Sequence, residues 1–193
     1  MSSMNLPPLE PLAEGLIYEA SLPFAWRVLD AVPDAAHLAY WNEYNDAALR
    51  GMAALDEYIN QPPEEHANLG HDLARLEFKV NLVLDLLGQL LSQQLLLPDT
   101  VWLKVGARGV EWASPEAPAL GTPLLLQVYL TPNYPRPLEL PATVVKYESL
   151  AVGARCTAAF EGCSEPVQDW LEKLIFRHHR RSIAHARLPR AGD

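Results

Sequence analysis

The sequence predicts an α+β protein: a small antiparallel β-barrel or sandwich closed by a C-terminal helix, with a long helical hairpin or coiled coil inserted before most of the strands. Three observations predict it. Apolar residues recur every three or four positions from Leu38 to Leu97; after Pro98 the period falls to two, with turn residues between short runs; the three-and-four spacing returns from Val167 to Ile175. At 193 residues, 49% of them hydrophobic and 20% charged, the chain is long enough for one domain with an elaboration, and it is not disordered in composition.

Residues 1–14 read as an irregular leader containing Pro7, Pro8 and Pro11. Residues 15–30, GLIYEASLPFAWRVLD, mix β-branched and aromatic side chains and read as the first strand, with Pro23 marking an edge or a bend. A helical region, 34–97, follows Pro33, with Asp34 placed to cap it. Its first helix carries Leu38, Trp41, Asn45, Ala48, Met52, Leu55 and Ile59 at helical spacing and stops at Pro62-Pro63.

The second helix begins near Glu64. Its seam is Leu69, Leu73, Leu76, Val80, Val83, Leu87, Leu90, Gln94 and Leu97, with steps alternating four and three until Pro98. In heptad terms Leu73, Val80, Leu87 and Gln94 are a positions, and Leu69, Leu76, Val83, Leu90 and Leu97 are d positions. The flanking positions are charged at first (Asp72, Glu77, Lys79) and then become Leu84, Leu86 and Leu91. An apolar face that wide exceeds what a two-stranded seam can cover. Either the 38–59 helix of the same chain covers it, or several copies cover one another, and the length of the run favours self-assembly, with a tetramer as the expectation. Gly88 inside this helix costs about 1 kcal/mol relative to alanine, so packing must hold that turn.

Residues 98–181 read as the remaining strands and the closing helix. Strand candidates are 101–105, 109–113, 124–130, 142–148 and 154–160, separated by turns rich in Gly, Pro and Asn. The helix opens near Ser164 with a proline in its first turn, and residues 182–193 are a tail. Arg177, Arg180 and Arg181 fall near its end, where the helix dipole favours cations, and Arg187 and Arg190 follow. Tryptophans 26, 41, 102, 112 and 170 lie in periodic segments and read as core residues or interface anchors.

Signals for chemistry are weak. The chain has no GxSxG, HExxH or Walker-type phosphate loop. His178, His179 and His185 cluster near Cys163, but without metal-ligand spacing, and Cys156 and Cys163 make neither a disulfide framework nor a CxxC motif. Cys156 sits in an apolar strand and reads as a buried small residue. The expectation is a non-enzyme with no cofactor and no metal. A net charge of −9 argues against general affinity for nucleic acid or anionic membrane. The N-terminus lacks the basic and apolar regions of a signal peptide, and LVLDLLGQLLSQQLLLP is too polar to span a bilayer, so a cytoplasmic location is expected.

The order of strand, glycine-closed turn, GVEWAS, proline-rich loop, GTPLLLQVYL, PATVVKYE, a strand ending in AAF and a closing helix resembles the PilZ domain family over residues 99–181. The resemblance implies a small antiparallel β-barrel and a place in bacterial cyclic di-GMP signalling, motility and type IV pili. The family holds the dinucleotide through an RxxxR segment and a [D/N]xSxxG turn, since paired arginines bind phosphates and stack on guanine. The turn aligns with KVGARG: Gly109 matches, while Lys104 and Gly106 stand where the acid or amide and the serine belong, and Arg108 is the phosphate contact that remains. No RxxxR precedes Val101, and Glu10, Glu14 and Glu19 lie where cations would be wanted.

The expected function is that of a PilZ-like interaction or scaffold module, self-assembling through the heptad helix, working with a protein partner and not binding the nucleotide in the usual way. The alternative is a cyclic di-GMP receptor that uses other contacts, with Arg108 and the basic C-terminal helix as candidates.

Overall fold

The computed structural model describes residues 11–12, 15–60, 97–131, 134 and 136–187, with helical residues 76, 80, 83 and 87 in addition. Six antiparallel strands close into a barrel: β1 (Tyr18–Val28), β2 (Thr100–Val105), β3 (Gly109–Ser114), β4 (Pro123–Val128), β5 (Leu138–Ser149) and β6 (Ala154–Phe160), in the order β1-β2-β3-β6-β5-β4. Two helices pack against it, α1 (Ala35–Asn60) and α2 (Glu165–Arg187).

Closure depends on β1. Its first half, Tyr18–Pro23, pairs with β2, and its second half, Phe24–Val28, pairs with β4 on the opposite side. Pro23 falls where the pairing changes over. There its missing N–H costs little, and its carbonyl accepts from Tyr129 N–H at 3.2 Å. The bend expected at this proline is therefore the point at which the barrel closes.

β5 differs from expectation. It begins at Leu138, directly after the turn TPNYPRP and four residues before the strand expected at 142–148, and it runs through Pro141. Leu138 and Leu140 pair with Val128 and Leu126 in the core, and that burial outweighs the proline signal. A bulge between Val144 and Lys146 then turns the end of the strand outward, leaving Lys146, Tyr147 and Glu148 exposed.

The interior follows strand alternation. Leu103 and Val105, Val110 and Trp112, Leu124, Leu126 and Val128, Leu138 and Leu140, and Cys156 and Ala158 all point inward. Each fully buried leucine contributes roughly 1.5–3 kcal/mol of transfer free energy. Trp112 tilts against Phe24 with ring centroids 5.3 Å apart. Trp41 is also buried, but Trp102 is 56% exposed, so it is a surface residue and not a core one. Trp102 lies one residue out of phase with the inward Leu103, which puts it on the outer face of the sheet.

Helix α1 starts where Asp34 caps it: Asp34 Oδ1 accepts the His37 N–H at 2.9 Å. That bond, with the His37 ring beside it, lowers the Asp34 carboxyl below its ordinary value. Ala48, Leu49 and Met52 face the core, and two asparagines fix the helix to its neighbours. Asn42 donates to the Gly162 carbonyl and accepts the Ser164 N–H, both at 2.8 Å, so α1 holds the start of α2. Asn45, 1% exposed, bonds to both backbone groups of Glu139. Helix α2 buries Val167, Leu171 and Ile175, and its His178 stacks on Tyr18 of β1 at 4.5 Å between centroids.

In the second helical segment, Leu76, Val80, Val83 and Leu87 are helical, as the heptad reading requires, and they are 60%, 51%, 55% and 50% exposed. Leu97 departs from that reading. It is not helical, because the residue before a proline is disfavoured in the α conformation, so the seam cannot include it as a helical d position. Leu69, Leu73, Leu90 and Gln94 lie outside the described residues, as do residues 1–10 of the leader and the end of the tail. Among the described residues no helix is long and apolar enough to cross a membrane.

Candidate functional site

The turn singled out in the sequence connects β2 to β3. Gly106 N–H donates to the Gly109 carbonyl at 2.9 Å, closing the loop over Ala107 and Arg108, and the Arg108 carbonyl accepts the Phe160 N–H at 2.9 Å. The turn is thus tied to the end of β6. Both glycines are buried, while the Arg108 side chain is exposed. Beside the turn is a recess of about 380 Å³ lined by Gly15, Leu16, Ala107, Arg108, Glu172 and Ile175. Among the described residues one cation, one carboxylate and three aliphatic side chains, Leu16, Ala107 and Ile175, therefore border it.

Lys104 does not join this recess. It lies on the outer face of β2, opposite Glu19 of β1 and Glu111 of β3, with Nζ 3.6 and 3.8 Å from their carboxylates. The series continues: Arg155 Nε lies 3.8 Å from Glu111, and Arg155 Nη1 lies 3.0 Å from Glu148. Glu19, Lys104, Glu111, Arg155 and Glu148 alternate in sign across β1, β2, β3, β6 and β5. Glu19 is thus a partner of Lys104, and Lys104 already has two carboxylates to satisfy.

The structure brings Gly106, Arg108 and Gly109 together and sets Lys104 apart from them. Sequence reasoning missed Glu111, Arg155 and Glu148. Their signal was legible, since charges of alternating sign fall at outward positions of strands that turned out to be adjacent, but the strand order was needed to see it. Also missed were Glu172 and Ile175, which reach the recess from α2. Among the described residues no group of histidine, cysteine, aspartate or glutamate is arranged to hold a metal ion. Cys156 is buried, and Cys163 is partly buried beside Glu161; burial and then that carboxylate push its thiol up to about 11.

The resemblance rested on the strand order, the glycine-closed turn and the closing helix; the structure adds a closed six-stranded barrel, and comparison with known proteins agrees. A family model described as "Atypical PilZ domain, cyclic di-GMP receptor" matches residues 49–188. Among solved structures the chain is similar to a pathogenic protein of Xanthomonas campestris, described as a new tetrameric PilZ domain self-assembled via an unusual helical bundle. The identity is 27%, with 91% of this chain and 94% of that one covered, at a TM-score of 0.73. YcgR of Escherichia coli in complex with c-di-GMP is similar at 16% identity over 45% of this chain and 38% of that one, with a TM-score of 0.38. The search of curated proteins gives no match. With the family model covering well over half of its residues on the expected fold, the chain belongs to the atypical PilZ domain family.

Proposed function

We propose that this protein is a non-enzymatic interaction or scaffold module that assembles with copies of itself, as a tetramer, through its heptad helix, and that it serves bacterial cyclic di-GMP-linked motility, type IV pilus or virulence signalling. The observation that carries this reading is the exposure of Leu76, Val80, Val83 and Leu87. These are four aliphatic side chains at steps of four, three and four, each at least half exposed on a chain whose barrel core is sealed. Burying the exposed half of such side chains contributes roughly 1 kcal/mol apiece, which solvent does not supply and neighbouring copies would. The tetrameric assembly of the X. campestris protein through a helical bundle supports the same arrangement here.

The nucleotide enters this proposal as a pathway signal and not as a ligand held in the usual way. Lys104 is engaged by Glu19 and Glu111, Gly106 offers no side-chain donor, and Arg108 shares its recess with Glu172. A dianionic dinucleotide entering the recess would meet the Glu172 carboxylate along with the Arg108 cation. The second reading, a receptor with unconventional contacts, draws on the family's description and on Arg108 beside an open recess. Calorimetric titration with cyclic di-GMP separates the two. No heat is expected; micromolar binding that is lost in Arg108→Ala would establish the receptor.

A further inference from the structure

Gly106 and Gly109 are not required by backbone conformation, because neither has a positive φ. Space is what demands glycine at these positions. A Cβ on Gly109 would collide with the Ala158 carbonyl and stand 2.7 Å from Pro11 Cβ. A Cβ on Gly106 would stand 2.9 Å from Leu12 Cδ2 and 3.6 Å from the Pro11 carbonyl, with the Gly109 carbonyl at 3.8 Å. Among the described residues, then, Leu12 is the one that excludes a side chain at Gly106, and the barrel strands leave room for a Cβ there. Pro11 is buried and Leu12 partly so. Gly15, at φ +112° and with no described residue near its missing Cβ, turns the chain between this pair and β1.

We propose that the glycine turn is a seat for an apolar dipeptide, that its occupant is the chain's own Pro11-Leu12, and that anything reaching this face of the turn must displace them. The seat has the features such a ligand needs. Proline and leucine are apolar, proline has little backbone freedom to lose on docking, and two side-chain-free residues let them approach the turn closely. The recess bordered by Arg108 and Glu172 is also lined by Ala107 of the turn and by Gly15 and Leu16, which follow the pair closely in sequence. This rests on the reading above that the turn does not hold the dinucleotide in the usual way, and it supplies a physical reason: the glycines that relatives would use to approach a ligand here receive the protein itself.

Cleavage after Glu14 by a Glu-specific endoproteinase tests the proposal in the full-length protein. The protease must bind an extended segment that includes Pro11 and Leu12, so a seated pair protects the bond. Wild type should be cut at least tenfold more slowly than Leu12→Asp and Gly106→Leu, with circular dichroism unchanged among the three. Gly106→Leu tests the seat and Leu12→Asp tests the occupant, so misfolding of one variant leaves the other decisive. Equal rates in all three proteins overturn the seat. Repeating the digestion with cyclic di-GMP separates the two readings. Binding with faster cleavage upholds displacement while refuting the non-binding function. Binding with unchanged cleavage overturns the seated pair as an obstacle.

Discussion

Asn45 closes two hydrogen bonds on a single residue, Glu139: its Nδ2 donates to the Glu139 carbonyl at 2.7 Å, and its Oδ1 accepts the Glu139 N–H at 2.9 Å. The ladder between β5 and β6 begins only at Ala142, opposite Phe160, so Glu139 lies beyond the reach of β6. A helix side chain takes the place of the missing strand. Backbone polar groups at a buried helix–sheet junction need such partners, and an asparagine amide offers one donor and one acceptor at the right separation.

Asn45→Ala should therefore cost about 1–3 kcal/mol, the penalty for leaving buried polar groups unpaired. Urea unfolding would measure it as a lower midpoint with an unchanged slope. Asn45→Leu, which fits the apolar spacing of the helix better, should be no more stable than the alanine variant, because it restores neither bond.

The alternating charges on the outer sheet face are worth less. Glu111→Gln removes the carboxylate between Lys104 and Arg155, whose side chains are 40% and 44% exposed. Partly solvated pairs of this kind contribute roughly 0.2–1 kcal/mol, so the loss should stay below about 1 kcal/mol and shrink in 1 M salt. A large, salt-independent loss would mean that Glu111 has a different structural role.

Cys163 should be a poor nucleophile. With its thiol pushed up to about 11 by burial and by Glu161, roughly a thousandth of it is thiolate at pH 8. Burial raises the Cys156 thiol as well. Labelling of the native protein by a disulfide reagent at pH 8 should run about 100-fold slower than that of a free cysteine, and should recover on unfolding. Rapid labelling at pH 8 would mean that the β6–α2 loop exposes its sulfur.

Leu76→Asp and Leu87→Asp should dissociate the assembly and leave the barrel folded, because both residues lie outside its core. Near-ultraviolet dichroism, dominated by Trp112 and its neighbours, should be unchanged while the mass falls. Loss of the dichroism along with the mass would tie the helix to the fold of the barrel instead.

Much of this architecture was legible in the sequence, and the limits have physical causes. The Asp34 cap, the strand periods and the helix after Ser164 are local signals, and they read directly. The start of β5 did not, because burial of Leu138 and Leu140 against β4 overrode the prolines around them. Asn45 looked like one more apolar-face position; its bond to Glu139 spans residues distant in sequence. The turn was legible as a loop with Gly109 in place. The engagement of Lys104 by Glu19 and Glu111 needed the strand order, and the seating of Pro11 and Leu12 over the glycines needed the closed barrel.

The most direct test of the account is the mass of the full-length protein in solution, by light scattering after size exclusion at micromolar concentration. Self-assembly through the heptad helix predicts four times the 21.5 kDa chain mass, falling to a single chain mass in Leu87→Asp. A wild-type protein that stays monomeric at high micromolar concentration would contradict it and would return Leu76, Val80, Val83 and Leu87 to cover within one chain.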